Sequence, residues 1–271
     1  MKFFIIIIVL LIGNTSSYSQ KIICGRIIDS ETKQSLQYVN IGIKDKGIGT
    51  VSLKNGAFTL KLNSELNNFD TLLISVIGYN SKKVSINQLK KDTSEIFLMP
   101  QIYNIQEIII KPIERKIVGS ISKSKRMYAY FYSNVALGGE IGSIIEFHNY
   151  PCKIEDISFN NISNDWDSIK CRIHMYKLND NNPISDLVKQ NIYFTINSQK
   201  GKMTFDLSKY NLVADEKILV TFELLETFGK NDRIIKISAA KSESLYSRFI
   251  SQDKWKTFKG VHIGYETTIS F

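Results

Sequence analysis

The chain has 271 residues, of which 43% are hydrophobic and 23% are charged. These proportions are typical of a globular protein, and four prolines and fifteen glycines are too few for a fibrous or low-complexity chain. The length favours two domains, each able to bury its own core. The formal net charge is +9, and we expect no nucleic acid partner.

Residues 1–19 have the pattern of a secretory signal peptide. Lys2 supplies the positive charge, Phe3 to Ile12 form an apolar run, and Ser17-Tyr18-Ser19 places small residues before a cleavage point. Cleavage there would leave Gln20 at the mature N-terminus. The alternative, a membrane anchor, is disfavoured because ten apolar residues make a helix of only ~15 Å against ~30 Å of hydrocarbon. We therefore expect no transmembrane segment in the mature chain.

The three cysteines are Cys24, Cys152 and Cys171. An odd number leaves at least one thiol free, even in the oxidising compartment that export implies. Cys152 and Cys171 flank a predicted hairpin and can form a disulfide, or both can stay reduced. Cys24 lies among predicted strand residues and is expected to be a small core side chain.

Residues 20–110 show the alternation of apolar and polar residues that is typical of β-strands. Apolar residues recur at every second position from Phe58 to Leu62 and from Leu72 to Val76. Asn55-Gly56 predicts a tight hairpin turn, because both residues tolerate positive φ angles. About seven strands are expected here, with one short helical turn within 87–91, and the fold predicted is a β-sandwich.

Residues 111–126 are predicted to be a basic linker. They contain six Lys or Arg residues and one Glu, which gives +5, whereas residues 127–271 contain seventeen basic and seventeen acidic residues. One interpretation is a solvated, self-repelling spacer between two domains that fold independently. The other is that the side chains of Lys123, Lys125 and Arg126 contact anionic envelope material.

Residues 127–271 are predicted to form a second β-rich domain, a jelly-roll-like sandwich. The residues Ile169, Cys171, Ile173 and Met175 alternate with polar ones, and residues 203–207 and 218–222 repeat the pattern. A single helical turn is expected at 183–188, where Pro, Ser and Asp favour a helix start.

The block from Gly25 to Leu98 also resembles the carboxypeptidase regulatory-like domain, a transthyretin-like β-sandwich. The segments that carry the resemblance are Gly25-Arg26-Ile27-Ile28-Asp29, Tyr38-Val39-Asn40-Ile41, Gly49-Thr50, Gly56-Ala57-Phe58, Asp70-Thr71-Leu72, Ser75-Val76-Ile77-Gly78-Tyr79 and Leu98-Met99-Pro100. The segment Gln106 to Ile110 looks like the strand that commonly leaves this domain. The resemblance covers about a third of the chain and implies an exported protein of a Gram-negative bacterium, in the periplasm, at the outer-membrane periphery or at the cell surface. It implies a fold without catalytic residues.

The sequence contains no pattern that predicts catalysis or a cofactor. None of the three histidines, His148, His174 and His262, begins the His and Glu spacing of a zinc carboxypeptidase. No nucleophile elbow and no phosphate-binding glycine loop is present either. We therefore expect no metal, no cofactor and no enzyme activity.

Two groups of side chains are candidates for ligand contacts. Arg172, His174 and Tyr176 share one face of a predicted strand, as do Glu146 and His148, although a solvated outer face explains both sets. Trp166 and Trp255 can stack on sugar rings, although packing in the core is the commoner role of tryptophan. The possible ligand contacts are thus Trp166, Arg172, His174, Tyr176 and Trp255.

These observations predict a non-enzymatic exported envelope protein that acts as a binding or scaffolding module, with an unknown envelope protein or glycan as its partner. Two alternatives stay open. The first is a carbohydrate-binding module in the C-terminal domain. The second is a hydrolase that uses the neighbourhoods of Glu146 and His174, which requires these two residues to lie close together.

Overall fold

The computed structural model describes residues 21–62, 66–67, 69–89, 94–101, 114–132, 137–230 and 233–271. The predicted signal peptide at 1–19 and the segment Gln106 to Ile110 lie outside these residues. The described chain is almost entirely β-structure, with 3-10 turns at Ile86–Gln88 and Ser208–Tyr210. In the described part, no helix has the length and hydropathy needed to cross a bilayer.

The N-terminal unit, residues 21–101, is a sandwich of two small sheets, as predicted. Its strands are β1 Ile22–Asp29, β2 Asn40–Ile43, β3 Ile48–Val51, β4 Ala57–Lys61, β5 Thr71–Ser75, β6 Lys82–Ser85 and β7 Ser94–Leu98. One sheet has the order β4-β1-β7 and the other β3-β2-β5-β6. The predicted alternation is confirmed, since Phe58, Leu60, Leu72 and Ile74 are all buried in the core between the sheets.

The Asn55-Gly56 turn forms, but the predicted hairpin is wrong. Gly56 has a φ of 76°, and the Ala57 amide donates to Asn55 Oδ1 at 3.1 Å. However, β3 and β4 on either side belong to different sheets. The turn therefore carries the chain from one layer of the sandwich to the other. Cys24 also differs from expectation, because it is only partly buried and its Sγ lies 3.7 Å from Thr59 Oγ1.

The C-terminal unit, residues 114–271, is a second two-layer β-structure. Its strands are β8 Arg115–Gly119, β9 Tyr128–Tyr132, β10 Glu140–Ile145, β11 Cys152–Ile154, β12 Asp156–Asn164, β13 Ser168–Asn179, β14 Asn182–Asp186, β15 Tyr193–Asn197, β16 Gly201–Asp206, β17 Leu212–Ala214, β18 Ile218–Phe228, β19 Ile234–Ala240, β20 Ser244–Arg248, β21 Lys256–Lys259, β22 His262–Ile263 and β23 Glu266–Ser270. One sheet has the order β14-β13-β18-β10-β20-β21, with β15 also on β13. The other has the order β17-β11-β23-β12-β19-β22, with β16, β8 and β9 paired to β12, β23 and β19.

The core of the C-terminal unit lies between these two sheets. Ile169, Cys171, Ile173 and Met175 on β13 are buried in it, as their alternation predicts. The interior is rich in aromatic contacts, such as Phe159 against Phe222 at 4.6 Å between ring centroids. The alternation therefore places every second residue of β13 on the opposite face of its sheet, where the candidate site is found.

One local prediction in this unit is wrong, and the structure also decides between the two alternatives left open for the cysteines. The helical turn expected at 183–188 is instead strand β14, which pairs with β13. β13 needs a neighbour there, and tertiary pairing overrides the weak helix-start signal. Cys152 and Cys171 are free thiols, each buried in the core, and burial raises the pKa of Cys152 to about 11.

The predicted basic linker is largely part of the C-terminal unit. Arg115–Gly119 is strand β8, which pairs with β23 from Gly119 opposite Glu266 to Arg115 opposite Ser270. After it, the Ser122 hydroxyl donates to the Ala239 carbonyl at 2.7 Å. Gly264 permits this close approach, since a Cβ there would lie 2.5 Å from the Ser122 amide nitrogen. A free spacer over the whole of 111–126 is therefore wrong, because residues 115–124 are held on the sheet.

The two units meet in a tight interface. Ser251 donates to Asn40 Oδ1 at 2.8 Å, and the Gln252 side chain donates to the Ser75 hydroxyl at 2.9 Å. A Cβ on Gly49 would lie 2.2 Å from the Ser251 carbonyl oxygen, so glycine is required for the backbones to approach this closely. The loop that follows β20 thereby packs directly on the β2–β3 hairpin of the N-terminal unit.

Candidate functional site

A cluster of buried and partly buried polar side chains lies on the face of the β14-β13-β18-β10-β20-β21 sheet that points away from the core. We call it the polar cluster, and its members are Glu140, Arg172, His174, Tyr176, Asp186, Thr221, Glu223 and Arg248. Four of them form a single row across the sheet, because Arg172 is opposite Glu223, Glu223 is opposite Glu140, and Glu140 is opposite Arg248. The charges along this row run plus, minus, minus, plus.

Glu223 is the first centre of the polar cluster and is fully buried. Its Oε2 atom accepts from Arg172 Nε at 2.8 Å and lies 2.6 Å from Arg172 Nη2. His174 Nε2 lies 2.8 Å from the same oxygen. Burial by itself raises the pKa of Glu223, but the Arg172 guanidinium and the His174 ring overcome this and lower it to about 2. Glu223 is therefore a carboxylate at neutral pH.

Glu140 is the second centre and is also fully buried. Its carboxylate accepts from Thr221 Oγ1 at 2.6 Å, from the Tyr176 hydroxyl at 3.1 Å and from Arg248. Burial and the Glu140 charge hold the pKa of Tyr176 well above its usual value. Tyr176 therefore serves as a hydrogen-bond donor rather than as an acid or base.

His174 connects the two glutamates to a third carboxylate. Its Nδ1 lies 2.5 Å from Asp186 Oδ2, and its Nε2 lies 3.9 Å from Glu140 Oε1 as well as close to Glu223. Burial disfavours the charged ring, but the charges of Glu140 and Asp186 outweigh it and raise the pKa of His174 to about 10. Both ring nitrogens thus carry protons that point at carboxylates.

The polar cluster is balanced in charge. Three carboxylates, Glu140, Asp186 and Glu223, face three cations, Arg172, His174 and Arg248. Two glutamates directly opposite each other on neighbouring strands are unfavourable unless cations accompany them. The three cations supply that compensation.

The same geometry limits the chemistry of the cluster. A protonated imidazole has no lone pair with which to accept a proton or to bind a metal. Among the described residues, one group of three His, Cys, Asp or Glu side chains has its ligand atoms within 4.8 Å of one another, and it consists of Glu140, His174 and Glu223. In this structure the carboxylates of that group are bound instead by the guanidinium groups of Arg172 and Arg248.

The polar cluster also joins the two units of the protein. Arg172 Nη1 donates to the Tyr38 carbonyl at 3.0 Å and to Asn191 Oδ1 at 2.9 Å. The Tyr38 hydroxyl donates to Glu226 Oε2 at 2.6 Å, and its ring packs edge-on against Tyr193. Tyr38 has a φ of 54°, which is an unusual conformation for a bulky residue and is held by these contacts.

The structure brings four of the five predicted ligand contacts together. Arg172, His174 and Tyr176 are members of the polar cluster, and Trp255 lies beside it, with its ring 5.7 Å from that of Tyr176 and under the Arg248 guanidinium. The expected solvated face is wrong, because Arg172 and His174 are buried. Trp166 is separate from them, since it is buried in the core and cannot stack on a ligand.

The predicted pairing of Glu146 with His174 is not found. Glu146 follows the end of β10 and is exposed, as is His148, which agrees with their expected solvated face. Glu140, six residues earlier on β10, is the carboxylate next to His174. At ~3.3 Å per strand residue, Glu146 lies ~20 Å further along the chain.

Four members of the polar cluster were not predicted from the sequence: Glu140, Glu223, Arg248 and Asp186. A signal was present for Glu223, which interrupts the apolar run of β18, Ile218–Phe228. A single acidic residue in a strand that is otherwise buried requires a cationic partner nearby. The partners Arg172 and Arg248 lie on strands far away in sequence, so the spacing of residues does not reveal them.

The family model described as the CarboxypepD_reg-like domain matches residues 23–110. Residues 23–110 form a CarboxypepD_reg-like domain. Within this domain, the Tyr79 hydroxyl donates to Asp29 Oδ2 at 2.8 Å, which ties the end of β1 to the segment after β5. Tyr38 of the CarboxypepD_reg-like domain is the residue that Arg172 holds.

No curated protein matches the chain. A solved structure entitled "Structure of infectious bursal disease virus Gx strain" is similar over 93% of this chain and 64% of that one, with 8% sequence identity and a TM-score of 0.32. A similarity at this level carries no argument about fold or function.

Proposed function

We propose that this is a non-enzymatic exported envelope protein that acts as a binding or scaffolding module, with its CarboxypepD_reg-like domain and C-terminal unit held as one body. The observation that supports the proposal is the pairing of charges within the polar cluster. Each group in it that resembles a catalytic acid or base is already bound to an opposite charge. Arg172, at one end of the row of charges, binds the backbone of the other unit.

A hydrolase would need a base with a free lone pair or a nucleophile activated by one. His174 offers neither, since both of its nitrogens face carboxylates. The buried thiols are also unsuited to nucleophilic attack, because burial raises the pKa of Cys152 and that of Cys171 and keeps both protonated. The polar cluster therefore supports structure and inter-unit contact rather than turnover.

The proposal is tested by an activity screen together with calorimetry. Wild-type protein and the His174→Gln variant are assayed on ester, glycoside and peptide substrates, and neither is expected to turn over any of them. Turnover by the wild type that the variant lacks would contradict the non-enzymatic assignment. Scanning calorimetry should show one cooperative transition for the two units, and two separate transitions would contradict the single body.

A further inference from the structure

The outer face of strand β9 carries three exposed tyrosines. Tyr128, Tyr130 and Tyr132 are 37%, 54% and 57% exposed, while Ala129 and Phe131 between them are buried in the core. We call these three residues the tyrosine face. It spans ~13 Å along the strand, from the rise of ~3.3 Å per residue. Within the described residues β9 pairs only with β19, so the tyrosine face lies at the edge of its sheet.

A lysine lies on the same surface. Lys236 of β19 is opposite Tyr130 in the register, and its Nζ lies 4.9 Å from the centroid of the Tyr128 ring. Tyr128 therefore holds Lys236 in place by a cation–π contact. Tyr130 and Tyr132 keep the greatest open ring surface.

Three more cations are fixed next to the tyrosine face. Lys123, Lys125 and Arg126 precede β9 and are all exposed. The backbone that carries them is anchored on β19, since Ser238 Oγ donates to the Ser124 carbonyl at 2.7 Å and the Ala239 amide donates to the Met127 carbonyl at 3.0 Å. The anchoring keeps the positive charge at the Tyr128 end of the face.

These cations have no acidic partner in the part of the chain that the structure describes. The salt bridges there involve Arg115, Lys177, Lys202 and the polar cluster, and none involves Lys123, Lys125, Arg126 or Lys236. Unpaired cations beside open aromatic rings favour a ligand that has both negative charge and flat C–H faces.

We infer that the tyrosine face, with Lys236 and the basic residues 123–126, binds an anionic polysaccharide. The inference rests on the proposed function and names the partner class of the binding module. Sugar rings place their C–H faces on Tyr130 and Tyr132, their hydroxyls bond the phenol oxygens, and their carboxylate or phosphate groups meet the cations. A lipid surface fits less well, because the face is a flat strand with polar neighbours and lacks protruding Leu, Phe or Trp residues.

The experiment is isothermal titration calorimetry of the full chain with three probes. These are polygalacturonate as the anionic polysaccharide, dextran as a neutral one, and vesicles of phosphatidylglycerol and phosphatidylcholine. We expect binding to polygalacturonate alone. That binding should weaken from 0.1 M to 1 M salt, as the Debye length falls from ~10 Å to ~3 Å.

The variants separate the aromatic from the charged contribution. Tyr130→Ala and Tyr132→Ala should each weaken polygalacturonate binding about 2- to 10-fold, the range for loss of one aromatic contact. The triple change of Lys123, Lys125 and Arg126 to Gln should weaken it and flatten its salt dependence. The matched controls lie on β21, where Phe258 is exposed between Lys256 and Lys259. Phe258→Ala and the double change of those lysines to Gln should leave binding unchanged.

Several results would overturn the inference. Binding of dextran as strong as that of polygalacturonate would contradict a role for the ligand's negative charge. Binding of vesicles but not of polygalacturonate would assign the tyrosine face to a membrane surface. A loss of polygalacturonate binding in Phe258→Ala equal to that in the tyrosine variants would contradict the location of the site. Reducing-end analysis of the polysaccharide after incubation separates the two proposals. Cleavage of polygalacturonate contradicts the non-enzymatic function, whereas absence of both binding and cleavage contradicts only the tyrosine face.

Discussion

Replacing Arg172 with methionine tests whether the polar cluster is the structural centre that its geometry indicates. Arg172 is fully buried and donates to Glu223, to the Tyr38 carbonyl and to Asn191. Arg172→Met leaves Glu223 as a buried carboxylate with only His174 to compensate it. Removing one partner of a buried ion pair costs about 3–5 kcal/mol. For a chain of this size about 2–4 °C of Tm is lost per kcal/mol, so Tm should fall by about 6–20 °C.

A second substitution distinguishes ion pairing from simple loss of packing. In the double variant Arg172→Met with Glu223→Leu, the remaining carboxylates Glu140 and Asp186 are still matched by His174 and Arg248. Most of the lost stability should therefore return, because a buried ion pair can be replaced by apolar side chains at little cost.

The assay is urea denaturation at pH 7, with Lys177→Met as the control. Lys177 lies on the same strand and pairs with Asp215 at 3.0 Å, but both side chains are solvent-accessible. That variant should lose no more than about 1 kcal/mol. The reasoning fails if Arg172→Met costs less than about 1 kcal/mol, or if the double variant is as unstable as the sum of its two single variants.

Three further predictions follow from features described above. His174→Gln should remove one part of the pH dependence of the free energy of unfolding. The pKa of His174 rises from 6.5 in the unfolded chain to about 10 in the folded protein. The stability that its charged ring contributes is therefore complete below pH ~6.5 and disappears as the pH rises through ~10. Urea denaturation from pH 6 to 10 should show this fall in the wild type and a smaller one in the variant. Gly49→Ala should lower Tm and make the Ser251 loop more sensitive to proteolysis, because the added Cβ would lie 2.2 Å from the Ser251 carbonyl oxygen; an unchanged Tm would contradict the tight interface. Intact-mass analysis of protein from the native envelope should give a chain that starts at Gln20, and a retained Met1 would contradict export.

The N-terminal fold was predictable from the sequence because its signals are local. Period-two alternation at 58–62 and 72–76 and the Asn55-Gly56 turn depend only on neighbours in the chain. Which sheet each strand joins depends on long-range pairing, and for this reason the predicted hairpin at Asn55-Gly56 was wrong although its turn was right.

The candidate site was predictable only in part. Alternation placed Arg172, His174 and Tyr176 on one face of β13, which is correct. It could not show that this face is buried, because the cover comes from the CarboxypepD_reg-like domain and from the loop after β20. The partners Glu140 and Arg248 lie on β10 and β20, and the sequence contains no local signal that β10 pairs with β18 on one side and with β20 on the other.

The tyrosine face was missed for a related reason. The alternation from Tyr128 to Tyr132 marks a strand, but exposure of its tyrosines depends on β9 lying at a sheet edge. Likewise, the composition of residues 111–126 suggested a solvated spacer, whereas the hydrogen bonds of Ser122 and Ser124 hold that segment on β19. The positive charge of the segment is as the sequence indicates, but its attachment to β19 could not be predicted from that charge.

The position of β23 has a consequence for how the protein reaches its native state. Residues Glu266–Ser270 pair with β8, which lies about 150 positions earlier, as well as with β11 and β12. Contacts between residues so far apart in sequence make the search for the native topology slow. Until β23 arrives, β8 and β11 have unpaired edges, which other chains can bind. Stopped-flow refolding should therefore be slow, and its yield should fall as protein concentration rises.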